Sequence, residues 1–143
     1  MTKDALKFFQ AYIKEMISLG GENLPKTISS TLGAKLAKLY KDRGISEIKS
    51  GLRKCFSVLK GRTKINKSNE NVLDFIVRYW RKFCPIGGNY NPEIKDMVQK
   101  SICRPYILGF LKELNPNFNY ELISKQCILS SKKRTCHFLL RAN

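Results

Sequence analysis

Apolar residues recur at helical spacing through the first sixty positions of the chain. Over residues 4–19, Leu6, Phe9, Ile13, Met16 and Ile17 share one helical face, and Gly20-Gly21 supplies a stop. Asn23-Leu24-Pro25 offers a cap with proline near the first turn, and Leu24, Ile28, Leu32, Leu36 and Leu39 carry a second stripe to Gly44. Gly33 sits inside that stripe. A glycine in a helix interior costs about 1 kcal/mol against alanine, so it either admits a close neighbour or is merely tolerated. A third helix is predicted from Ser46 as N-cap, through Ile48, Leu52, Cys55, Phe56 and Leu59, to Gly61. Cys55 belongs to that apolar face and reads as a small buried hydrophobe.

After Gly61 the period changes. Residues 62–67 alternate weakly. In residues 72–83, Leu73, Phe75, Val77 and Tyr79 alternate like a strand, while Val72, Ile76, Tyr79 and Phe83 also fit a helix. The enrichment in Val, Ile, Phe, Tyr and Trp favours the strand. Cys84-Pro85-Ile86-Gly87-Gly88 then reads as a turn, and Asn91-Pro92-Glu93 opens a helix carrying Ile94, Met97, Val98, Ile102, Tyr106, Leu108 and Leu111. Pro105 must kink or restart that helix, because proline lacks the backbone donor and clashes with the preceding turn. Two strands follow, over residues 119–129 and 135–141, joined by a polar turn at 130–134. The order predicts an α+β fold, an α/β plait with amphipathic helices packed on a mainly antiparallel four-stranded sheet. With 143 residues, one domain over positions 1–143 is expected.

No apolar run approaches the roughly 18 residues of a membrane span. The start, Met1-Thr2-Lys3-Asp4, lacks the order of a signal peptide, so a cytoplasmic, reducing environment is expected. The formal net charge of +16 invites an anionic partner. Nineteen of the 27 basic residues are lysines scattered as on solvated helix faces, which favours solubility over nucleic-acid binding. Two clusters stand apart: Arg78, Arg81 and Lys82 around Tyr79-Trp80, and Lys132, Lys133 and Arg134. These six are the candidate nucleic-acid or anion residues.

Four of the five cysteines lie in the second half, at Cys84, Cys103, Cys127 and Cys136. An odd number of thiols in a reducing compartment favours metal binding or burial over disulfides. The pattern Cys127-x8-Cys136-His137-Phe138, preceded by Cys103-x5-Gly109-Phe110, resembles the vinyl-reductase or hydrocarbon-binding domain family. That family is an α/β plait related in fold to the TRAPP vesicle-tethering subunits and to the sensor domains of phenol-responsive bacterial regulators. The resemblance implies a zinc held by Cys103, Cys127 and Cys136. Ser124 stands where the family has its acidic ligand, and Ser130-Ser131-Lys132-Lys133-Arg134 where it has a Gly-Asp turn. A related group of archaeal and cyanobacterial regulators carries a Cys-Pro element similar to Cys84-Pro85, and some of them bind iron–sulfur clusters. Cys84 is therefore the candidate fourth ligand, with Glu121 a weaker substitute, and an iron–sulfur cluster the alternative to zinc.

His137, the only histidine, should face away from Cys136 by strand alternation unless a bulge intervenes. No glycine-rich cofactor fingerprint, catalytic triad or paired carboxylate is readable, so no catalytic residues are assigned and an enzyme has the least support. The leading expectation is a non-enzymatic sensor or adaptor for a small apolar or acyl ligand, with Phe8, Phe9, Tyr12, Phe56 and Phe75 as candidate pocket residues. It would act with a protein partner or as a homodimer through the first two helices. Iron–sulfur or redox sensing, and nucleic-acid binding, are the alternatives.

Overall fold

The computed structural model describes residues 3–143, with the side chains of Lys3, Leu6, Lys67 and Ser68 outside the described set. The expected place of Leu6 in the first stripe, and the reading of Met1-Thr2, therefore lie outside the described residues. Helix α1 (Lys3–Gly20) ends where Gly21 takes φ +76°, a conformation glycine adopts freely. Of its described stripe residues, Ile13 is the one that is fully buried.

In helix α2 (Asn23–Asp42) the apolar pattern and the packing diverge. Leu24, Ile28, Leu32 and Leu39 stay 42–56% exposed, while Pro25, Ser29, Gly33 and Ala37 are buried. The cause is helix α5 (Arg104–Leu114), which approaches to backbone distance. A Cβ at Gly33 would lie 2.2 Å from the Tyr106 carbonyl oxygen, and one at Gly109 2.3 Å from that of Ser30. A leucine stripe cannot enter such a seam, so the small residues at four-residue spacing fill it instead. Gly33 is thus a close-approach glycine. Helix α3 (Ile48–Ser57) starts from Glu47 rather than Ser46 and has no side-chain cap, and it buries Gly51, Leu52, Cys55 and Phe56.

Four strands follow the predicted order: β1 (Arg62–Asn69), β2 (Val72–Arg78), β3 (Tyr120–Gln126) and β4 (Thr135–Ala142). They form one sheet in the order β1-β2-β4-β3 with every neighbouring pair antiparallel. Strand β2 stops at Arg78 rather than reaching Phe83, because both its partners run out there, at Arg62 and Thr135. The Tyr79 N–H instead donates to the Arg134 carbonyl at 2.9 Å, and Trp80 swings out, 86% exposed. The helix-facing side of the sheet carries Phe75, Val77, Leu122, Cys136, Phe138 and Leu140. Phe56 of α3 closes an aromatic cluster over it, with ring centroids 5.9 Å from Phe75 and 6.0 Å from Phe138.

The segment expected as one kinked helix is built in pieces: a 3₁₀ turn (Pro92–Ile94), a short helix α4 (Lys95–Val98), a π-helical turn (Gln99–Cys103), then α5. Pro105 explains part of this. It has no N–H for the Ser101 carbonyl four residues earlier, and that carbonyl accepts from Ser29 Oγ of α2 at 3.2 Å. No helix among the described residues is long and apolar enough to cross a membrane.

Candidate functional site

The π-helical turn places two different surfaces side by side. On one side, Ser29, Leu32 and Leu36 of α2, Val58 and Leu59 after α3, Ile86 of the Cys84–Gly88 turn, and Ile102 and Tyr106 line an apolar groove of about 320 Å³. Deeper in, sharing Leu59, Ile86 and Tyr106 with the groove, is an enclosed cavity of about 20 Å³ into which Cys84, Cys103, Cys127 and Cys136 all converge. That is room for about one water-sized body. Each thiol arrives on a different element. Cys84 opens a tight turn closed by hydrogen bonds with Gly88, Cys103 ends the π turn, Cys127 follows β3, and Cys136 is the second residue of β4. All five cysteines are free.

The thiols differ in character. Cys127 is held below the ordinary thiol range, chiefly because Cys136 donates its S–H to the Cys127 sulfur, with Gln99 Nε2 adding a donor at 3.3 Å. Cys136 is raised by that same hydrogen bond, and burial adds to the effect. Burial raises Cys84, against an opposing N–H from Gly87 at 3.2 Å, and raises Cys103 well above its usual value. Tyr79, which also lines the cavity, is raised by burial and then by the neighbouring thiols. Gln99, which lines the cavity from the π turn, has its Oε1 buried with no hydrogen-bond partner. The donor chemistry suits a soft metal or cluster. As the side chains stand, however, no group of three or more His, Cys, Asp or Glu among the described residues could hold a metal ion. The four sulfurs share a cavity without forming a coordination shell.

The raised thiols set a sign for stability against pH. Burial raises Cys55 to about 12 from 9.0, so the folded chain keeps its proton where the unfolded chain has released it. The stabilisation is complete below 9 and is lost as pH rises towards 12. Cys84 and Cys103 act in the same direction. The unfolding free energy from urea titrations should therefore fall steadily above pH 9, by up to about 1.4 kcal/mol per pH unit for each such group, with the midpoint falling in step, and Cys55→Ala should flatten the slope. A midpoint unchanged between pH 8 and pH 10.5 would refute this account.

The other sequence-predicted residues fall elsewhere. Phe75 and Phe56 belong to the aromatic cluster of the core, Phe56 also touching the thiol cavity. Phe8 and Tyr12 are 72% and 58% exposed on α1, and neither they nor Phe9 line the groove. The groove is lined mainly by aliphatic side chains instead. Its α2 residues, Leu32 and Leu36, looked like core positions of an ordinary amphipathic helix. Glu121 pairs with Arg141 at 3.6 Å on the outer face of the sheet, away from the thiols, and Ser124 Oγ is buried without a partner. His137 faces away from Cys136 and pairs with Asp74 across β2 and β4; a bulge does occur opposite it, between Ser124 and Gln126, without reversing β4. The two basic clusters meet only in part, through Arg78 and Arg134. Arg78 and Arg134 meet Lys60, Arg62 and Trp80 in one cleft, Arg81 lies over Phe83, Lys132 lies over Tyr90, and Lys82 and Lys133 are exposed.

No protein-family model matches the chain, and no curated protein matches it in sequence. In structure it is similar to a trafficking protein particle complex subunit 3 from Naegleria fowleri, solved covalently bound to palmitic acid. The TM-score is 0.59 at 10% identity, over 97% of this chain and 93% of that one. A likeness at that identity establishes a TRAPP-like fold.

Proposed function

We propose that this chain is a non-enzymatic domain that holds an apolar or acyl ligand between α2 and the π turn and acts as a sensor or adaptor. The carrying observation is the groove, in which aliphatic side chains and Tyr106 form a continuous apolar lining on a chain otherwise rich in charge. The covalently bound palmitic acid of the structural neighbour supports this choice of ligand chemistry. The resemblance to vinyl-reductase domains, resting on Cys103, Gly109-Phe110, Cys127 and Cys136-His137-Phe138, fits the same reading. Five free cysteines fit a reducing cytosol. Exposed Phe8, Tyr12 and Leu19 on α1, with Leu24 and Ile28 on α2, supply an apolar face for a second copy or a protein partner.

The convergence of all four thiols favours a second role for the site, as a zinc or iron–sulfur centre formed on metal uptake by rearranged side chains. Native mass spectrometry of anaerobically purified protein, with elemental analysis, reads acyl ligand, metal and subunit number together. Protein that carries no metal after reconstitution with zinc or with iron and sulfide would remove this role.

Leu32→Asp tests the groove. Leu32 is 56% exposed, so the substitution should cost less than about 0.5 kcal/mol of stability. Affinity for a long-chain fatty acid should fall at least about tenfold, because a carboxylate replaces apolar contact surface. Leu19→Asp on α1 should leave affinity unchanged. Equal fatty-acid affinity in wild type and Leu32→Asp would overturn the proposal.

A further inference from the structure

An open cleft of about 510 Å³ flanks the α2–α5 seam and shares no lining residue with the apolar groove. Its walls carry four cations, Lys26 from α2, Lys100 from the π turn, and Arg104 and Lys112 from α5. Between them stand three hydroxyls of α2, those of Thr27, Ser30 and Thr31, and no carboxylate lines the cleft. Lys26 lies 3.5 Å from Glu22 in an exposed pair; Lys100, Arg104 and Lys112 have no ion-pair partner among the described residues. One donor is also orphaned, since the Arg104 Nε–H is buried with no acceptor.

We propose that this cleft is an oxyanion site that takes a phosphate group, carried either by a small phosphate compound or by a phospholipid headgroup. Four positive charges brought together, three of them without a counter-ion and Lys26 with only the exposed Glu22, repel one another, and an anion in their midst reverses that sign. A guanidinium offers a planar fork of donors matched to phosphate oxygens, and the hydroxyls add neutral donors at short range. No protein carboxylate pairs with Arg104 and its Nε–H has no acceptor, so its guanidinium is not neutralised within the chain. The fold creates this arrangement. The close α2–α5 seam turns Thr27, Ser30 and Thr31 towards the basic flank of α5, so the site depends on the helix contact rather than on surface lysines drifting together. The site stands independently of the acyl-binding reading.

Two-dimensional NMR of the full chain, titrated with inorganic phosphate and separately with phosphatidylcholine vesicles doped with phosphatidic acid, tests it. Amides of Thr27, Ser30 and Thr31 should shift saturably with one probe or both, response to inorganic phosphate indicating the small compound and response to vesicles alone the headgroup. Arg104→Gln should weaken binding about tenfold and the exposed Lys112→Gln about threefold. The double variant Lys132→Gln/Lys133→Gln, which removes as much or more charge at a distant turn, should bind as wild type. Leu32→Asp should leave the phosphate titration intact, which separates failure here from failure of the groove. Absence of shifts at these amides with either probe, or equal weakening by the distant double variant, overturns the proposal.

Discussion

Phe75→Ala should destabilise the protein by about 4 kcal/mol and lower its melting temperature by about 15 °C. The ring is fully buried in the centre of β2 and packs 5.3 Å from Phe138 and 5.9 Å from Phe56, centroid to centroid. Truncation removes its own transfer energy and also leaves a void that β2, β4 and α3 cannot collapse around without breaking strand pairing. Since domains of this kind are stable by only about 5–15 kcal/mol, the variant would sit near its folding threshold. Chemical denaturation with far-UV circular dichroism reads the loss, and a change below about 1 kcal/mol would mean that this cluster does not anchor the core.

Gly33→Ala should cost about 3 kcal/mol, against the gain of up to about 1 kcal/mol that alanine normally brings to a helix interior. The new methyl would lie 2.2 Å from a backbone oxygen of Tyr106 and 3.0 Å from the Phe110 nitrogen, so relief requires α2 and α5 to separate rather than a side chain to rotate. Gly20→Ala is the matched control. A Cβ there meets nothing nearer than 3.8 Å, so that variant should be neutral or slightly stabilised. If both variants melt alike, the helices are not in backbone contact.

The elements were legible because the apolar period reported them: the helices, the strands and the antiparallel sheet follow from spacings at 3.6 and 2 residues. The orientation of α2 was not. Its leucines announced a buried face, yet the partner helix comes too close for them, and proximity to α5 cannot be read from α2 alone. Gly33 carried the needed signal in ambiguous form, resolved only by the Tyr106 carbonyl and Phe110 nitrogen that lie against it. The thiols show the same limit. Nothing in the spacing of Cys84, Cys103, Cys127 and Cys136 says that a turn, a π turn, the end of β3 and the start of β4 deliver them to one cavity; a shared site was expected only from a resemblance. Gln99 and Ser29 went unnoticed, because a glutamine and a serine on helices carry no pattern. Gln99 matters because it opens the π turn beside Cys127, and Ser29 because it meets the Ser101 carbonyl that Pro105 leaves free. The basic cleft was missed because its lysines are spread over positions 26, 100 and 112 and looked like ordinary surface charge.

The seam between α2 and α5 also constrains how the chain can be made. Ser29 and the Ser101 carbonyl it serves are 72 residues apart. At roughly 5–20 residues per second, α2 leaves the ribosome about 4–15 s before its partner helix exists. During that interval its small-residue face has nothing to pack against, and its leucines are as open as they remain in the finished fold. The nascent first half should therefore depend on trigger-type holding factors or on its own charge to stay dispersed, and truncations ending before residue 104 should accumulate as aggregates rather than as partially folded monomers.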